Sequence, residues 1–109
     1  MAKTVCLDFN GVLDSYQGWA GGRQYPPRDG VQEFLEQLKG RGFQIVILTA
    51  IDTEQVKAWL RQYGLRHLVD DVTNQKPPAL VYVDDRAICF RGDFIETLGR
   101  IDVFRAHWE

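Results

Sequence analysis

The chain has 109 residues, with 13 Lys+Arg against 15 Asp+Glu and a formal net charge of −2. That length suits one domain, residues 1–109, and 45% hydrophobic with 26% charged residues is the balance of a folded rather than a disordered protein. A slightly acidic chain excludes a dedicated electrostatic nucleic-acid binder, and apolar runs such as Phe43–Leu48, broken by Gln44, are too short to cross a bilayer. At the N-terminus Asp8 arrives before a signal-like apolar region develops, so a cytoplasmic location is expected. Cys6 and Cys89 lack metal-type spacing and sit in apolar, strand-like surroundings, which predicts two reduced, buried thiols.

In chain order, Thr4–Phe9 is a short apolar run that ends in a carboxylate and meets the turn dipeptide Asn10-Gly11, the pattern of a buried strand. Residues 15–28 are rich in Gly, Pro and aromatics without any period, and read as a loop or small flap. Asp29 is the expected N-cap of an amphipathic helix carrying Val31, Phe34, Leu35 and Leu38, with Gly40 or Gly42 as its stop. Phe43–Thr49 is a β-branched strand suited to the centre of a parallel sheet. Asp52 with Gln55 resembles a capping box before a helix bearing Val56, Trp59, Leu60 and Tyr63, closed by Gly64. A weaker strand is expected within 68–73 and a clear one over Ala79–Val83, ending at Asp84-Asp85. Beyond it, Ile95 and Leu98 suggest a short helix, and Ile101–Phe104 an edge strand.

Strands alternating with helices of about a dozen residues imply βαβ units and a mostly parallel sheet in a single Rossmann-like, three-layer α/β domain. Ligand sites in such sheets form at the carboxyl ends of the strands, where this chain carries Asp8, Thr49 and Asp84-Asp85. Taken singly, each acid is equally a helix cap or a solvated turn residue. Converging on one edge, three carboxylates repel unless a cation lies between them, and hard oxygen donors without His or Cys favour Mg²⁺.

This pattern resembles the haloacid dehalogenase superfamily of phosphohydrolases. Leu7-Asp8-Phe9-Asn10-Gly11-Val12 is similar to its first motif, Ile47-Leu48-Thr49 to its second, Lys76 is the candidate for the third, and Val83-Asp84-Asp85 matches the acidic fourth. The spacings from Asp8 through Thr49 and Lys76 to Asp84 are 41, 27 and 8 residues. The resemblance implies that Asp8 is the nucleophile, forming an aspartyl-phosphate. It implies that Asp8, the main-chain carbonyl of Asn10, Asp84 and Asp85 hold Mg²⁺, with Asp85 bound directly or through water. Thr49 and Lys76 would stabilise the phosphoryl group, and Gly11, Ala50 and Trp19 would join them around the substrate. With only about twenty residues between Asp8 and the first helix, no large cap domain is present, as in the cap-less members. Their sites are open, which suits a bulky phosphorylated substrate or shielding by an oligomer partner. Trp19, Tyr16 and Tyr25 are read either as a lid for the leaving group or as a small cluster packing the flap.

Position 10 departs from the family pattern, in which a second aspartate acts as general acid and then general base. An amide exchanges no proton near neutral pH, and losing positioned acid–base catalysis costs about 10²–10⁴-fold. The chain is then a slow phosphatase or phosphotransferase, a phosphate-binding module, or an enzyme into which Asn10 was introduced to trap an intermediate. The otherwise intact site favours the last. A receiver-domain reading is set aside because there the acidic pair comes early, whereas here it is late. His67 and His107 show no catalytic spacing, and Arg86 and Arg91 either steer phosphate or are solvated.

Overall fold

Alternation along Thr4–Asp8 sends Val5 and Leu7 to one face and Cys6 and Asp8 to the other, and this segment forms β1, an inner strand of a four-stranded sheet. The computed structural model describes residues 3–18 and 24–105. β2 (Gln44–Leu48) lies parallel to β1 with Val5 opposite Ile45 and Leu7 opposite Ile47. β3 (Asp71–Thr73) extends the sheet beyond β2, and β4 (Val81–Val83) lies on the other side of β1. The order is β3-β2-β1-β4, all parallel. This is the expected α/β architecture.

Two helices cover the Val5 and Leu7 face. α1 (Val31–Gly40) contributes Val31 and Leu35, and α2 (Thr53–Gln62) contributes Val56, Trp59 and Leu60 to one cluster with Ile45, Ile47 and Val72. Leu7, Leu35, Ile45, Ile47, Val56 and Leu60 are all wholly buried. Each such side chain contributes about 1.5–3 kcal/mol relative to exposure. Trp59 sets its ring edge-to-face against Phe9 at 4.9 Å and donates its indole N–H to the Tyr25 carbonyl at 2.9 Å. That bond ties the segment at Tyr25 to the core. Trp59 is therefore a core residue, as its helical spacing implies.

Several local expectations need correction. α1 is entered through Gly30, whose φ of 87° is left-handed and free of a Cβ penalty, so Asp29 does not cap it. Asp52 does cap α2, accepting from the Glu54 N–H at 2.9 Å. The strand expected within 68–73 begins as a 3₁₀ turn at Arg66–Leu68, which leaves His67 exposed, and reduces to β3. No edge strand forms at 101–104. α3 (Phe94–Asp102) absorbs Ile101 because Asp93 caps the helix start and Ile101 continues its apolar stripe. Cys6 is buried, but Cys89 is exposed because it lies between β4 and α3 rather than in a strand. Of the three expected layers, two are packed: α3 buries none of its residues.

Among the described residues no helix is long and apolar enough to cross a membrane.

Candidate functional site

The parallel strands put Asp8, at the end of β1, beside Asp84 and Asp85, which follow β4. One carboxylate oxygen from each lies within 4.8 Å of the others. Asp8 and Asp85 are half-buried, whereas Asp84 is exposed. Burial pushes the Asp8 carboxyl up to about 7, helped by the negative charges of Asp84 and then Asp85; the Phe9 N–H opposes this, and a hydrogen bond with Asp85 adds to it. Asp84 Oδ1 accepts from the Arg86 N–H at 2.8 Å, which secures the turn after β4. A carboxyl group that holds its proton near neutrality beside two more acids is a site electrostatically short of positive charge.

The turn Phe9–Leu13 follows β1 directly. Asn10 is extended (φ −70°, ψ 124°) and Gly11 is left-handed (φ 89°). Glycine is required at position 11 twice over, because a Cβ there would also collide with the Asp85 carboxylate. Asp14, 1% exposed, holds the turn from beneath. Its carboxylate accepts from the Gly11 N–H at 2.8 Å, the Asn10 side-chain amide at 2.7 Å and the Tyr16 N–H at 3.1 Å. Arg28 clamps the same turn from outside, with Nε donating to the Gly11 carbonyl at 3.0 Å and its backbone N–H to Leu13 at 2.9 Å. Sequence reasoning missed Asp14 and Arg28 as positioning residues. The available signal was an acid three residues after a turn glycine, able to collect the turn's N–H groups.

Thr49 is buried just past β2. Its N–H donates to the Thr73 carbonyl at 3.0 Å, and its hydroxyl accepts from the Ile51 N–H at 3.2 Å. Asn74 donates to the carbonyls of Thr49 and Ile51 at 2.7 and 2.8 Å, bracing the loop that contains exposed Ala50. Lys76 is exposed, with its ammonium 4.4 Å from the centroid of the Tyr82 ring. Among the described residues no ion pair joins it to Asp8. Arg91 pairs with Glu96 on α3 at 3.4 Å rather than facing the acids. Tyr16 and Tyr25 meet edge-to-face at 5.6 Å, the flap-packing cluster, while Trp19 lies outside the described residues.

No curated protein matches this chain. Among solved structures it is similar to a conserved protein from Bacteroides thetaiotaomicron, with 17% identity, coverage of 94% of this chain and 91% of that one, and a TM-score of 0.63, a likeness of fold alone. It is also similar to an uncharacterised protein from Listeria monocytogenes serotype 4b, with 25% identity over 64% of this chain and a TM-score of 0.54. The match spans 45% of the Listeria protein. A family model for haloacid dehalogenase-like hydrolases matches residues 19–83, a stretch that includes Thr49 and Lys76 and lies between Asp8 and the acidic pair. With more than half of its length matched on a parallel α/β sheet, the chain belongs to the haloacid dehalogenase-like hydrolases.

Proposed function

We propose that this chain is a Mg²⁺-dependent phosphohydrolase that carries the phosphoryl group on Asp8, with its second step slowed by Asn10. The observation that carries this reading is the meeting of Asp8, Asp84 and Asp85, within 4.8 Å, at the carboxyl edge of the sheet. The donor set fits Mg²⁺: all ligands are hard oxygens, and the raised proton affinity of Asp8 marks a deficit of positive charge. Asp8, Asp84, Asp85 and the Asn10 carbonyl would hold the ion, which supplies charge neutralisation for the phosphoryl group.

Asp8 attacks phosphorus through a carboxylate oxygen. The bond from phosphorus to the leaving oxygen breaks, and the electron pair leaves on that oxygen. Thr49 donates its hydroxyl to the phosphoryl group, and Lys76 swings from the Tyr82 ring to add positive charge. The Asn10 amide has no proton to give, so the leaving oxygen takes one from solvent. Leaving groups of low pKa are therefore favoured. Water then cleaves the acyl phosphate, releasing inorganic phosphate and restoring the Asp8 carboxylate; without a general base this step is slow. The open edge suits a bulky phosphorylated substrate.

A second reading, a phosphate-binding module, draws on one observation: the Asn10 amide is already committed to buried Asp14. Rapid mixing with p-nitrophenyl phosphate and Mg²⁺ separates the two. The enzyme gives a burst of one equivalent of p-nitrophenol followed by slow turnover, and Asp8→Asn removes both. Absence of a burst overturns the enzymatic reading and supports the module.

A further inference from the structure

Among the described residues, no layer buries the apolar side of α3. Phe94, Ile95, Leu98 and Ile101 fall on one side at i, i+1, i+4 and i+7 and are 77, 83, 61 and 56% exposed. The contacts that hold the helix are local: Asp93 accepts from the Ile95 and Glu96 N–H groups, Arg100 donates to the Cys89 carbonyl at 2.8 Å, and the Phe94 ring meets the Phe90 ring at 5.2 Å. A helix of 9 residues is shorter than the roughly 12–15 at which isolated helices become even marginally stable in water, so its stability requires a packed face.

The sheet has the complementary shortage. Parallel sheets are normally covered on both faces, yet among the described residues the hydrophobic cluster lies on the Val5 and Leu7 face, and Cys6, buried on the other face, stands outside it. On the other face Tyr82 lies beside buried Cys6 with the Lys76 ammonium against its ring and is still 41% exposed, and Leu80, entering the β4 edge, is 58% exposed. The radius of gyration, 14.9 Å, exceeds the ~13 Å of a compact domain of this length.

We propose that a second copy of this chain covers these surfaces, in an isologous dimer in which α3 of each protomer lies on the partner's open sheet face and β4 edge. Among its described residues one chain carries both halves of the contact, a helix lacking a sheet and a sheet face lacking a helix, so a two-fold axis satisfies both at once. The four α3 residues with Leu80 and Tyr82 expose roughly 700 Å², close to the ~800 Å² each partner buries in a standard interface. The remaining side of α3 carries Glu96, Arg100 and Asp102, without the basic excess that would direct it to an anionic lipid surface.

Sedimentation equilibrium of the full chain tests this without reference to the chemistry at Asp8. The wild type is expected at twice the monomer mass at micromolar concentration. Ile95→Glu and Leu98→Glu are expected to weaken dimerisation at least ~100-fold each while leaving the near-ultraviolet signal of core Trp59 unchanged. A wild-type monomer up to about 100 µM overturns the proposal, whether α3 then packs on its own sheet, on another protein or on lipid. A dimer that both variants leave intact also overturns it.

Discussion

β1, β2 and β3 with α1 and α2 make one half of the molecule; β4 and α3 make the other. In the first half the sheet residues Leu7, Ile45 and Ile47 are wholly buried, while in the second Val81 and Tyr82 of β4 are 45% and 41% exposed. The difference lies in cover rather than strand length. β3 and β4 are both three-residue edge strands, yet α2 packs on β3 and Val72 there is buried, whereas β4 keeps Val81 and Tyr82 exposed. The carboxylate cluster spans the seam, with Asp8 anchored in the packed half and Asp84-Asp85 supplied by the open one. Site geometry therefore depends on the less buried partner.

The sharpest way to break the packed half is Trp59→Ala. It removes a buried ring, its edge contact with Phe9 and its bond to Tyr25, and is expected to cost about 3–5 kcal/mol in urea unfolding. At the seam, Asn10→Asp combined with Asp14→Asn is expected to raise steady-state p-nitrophenyl phosphate turnover by about 10²–10⁴-fold. Asn10→Asp alone should gain much less, because a second carboxylate would then face buried Asp14 across the present 2.7 Å contact. Equal turnover in the single and double variants would remove Asp14 from this account.

The same seam predicts how metal-free stability varies with pH. Asp8 has a folded value near 7 against an ordinary 3.8, so on raising the pH the unfolded chain gives up its proton first. Stability contributed by the protonated group is complete below about pH 4 and is lost as pH rises towards 7. Because the group is half-exposed, the loss is expected to be only about 1–2 kcal/mol. Thermal melts should show the slope without metal and a flat profile in Asp8→Asn; a slope of equal size in that variant contradicts the assignment. In the open half, Arg91→Ala removes a 3.4 Å exposed pair with Glu96 and should change stability by less than about 0.5 kcal/mol.

Much of this was legible because periodicity reports burial. The apolar run Thr4–Phe9 announced a buried strand and the β-branched run Phe43–Thr49 a central one, and Val56, Trp59 and Leu60 announced the buried stripe of α2. Asp8, Thr49 and Asp84-Asp85 were legible as strand ends, which parallel topology brings to one edge. Ile101–Phe104 was not, since short apolar runs fit helix and strand alike until the Asp93 cap decides. Nor was the place of Lys76, whose flexible ammonium settles over an aromatic ring fixed by a different strand.

The order of apolar and acidic residues therefore determined the α/β class, the covered sheet face and the edge at which the acids gather. Tertiary structure alone decided that Asp14 grips the Asn10 amide, that Gly11 must yield space to Asp85, and that α3 buries none of its residues. Pattern reports which faces are apolar through local backbone periods. Which groups meet across those faces depends on contacts between distant segments, and these exist only once the chain has closed on itself.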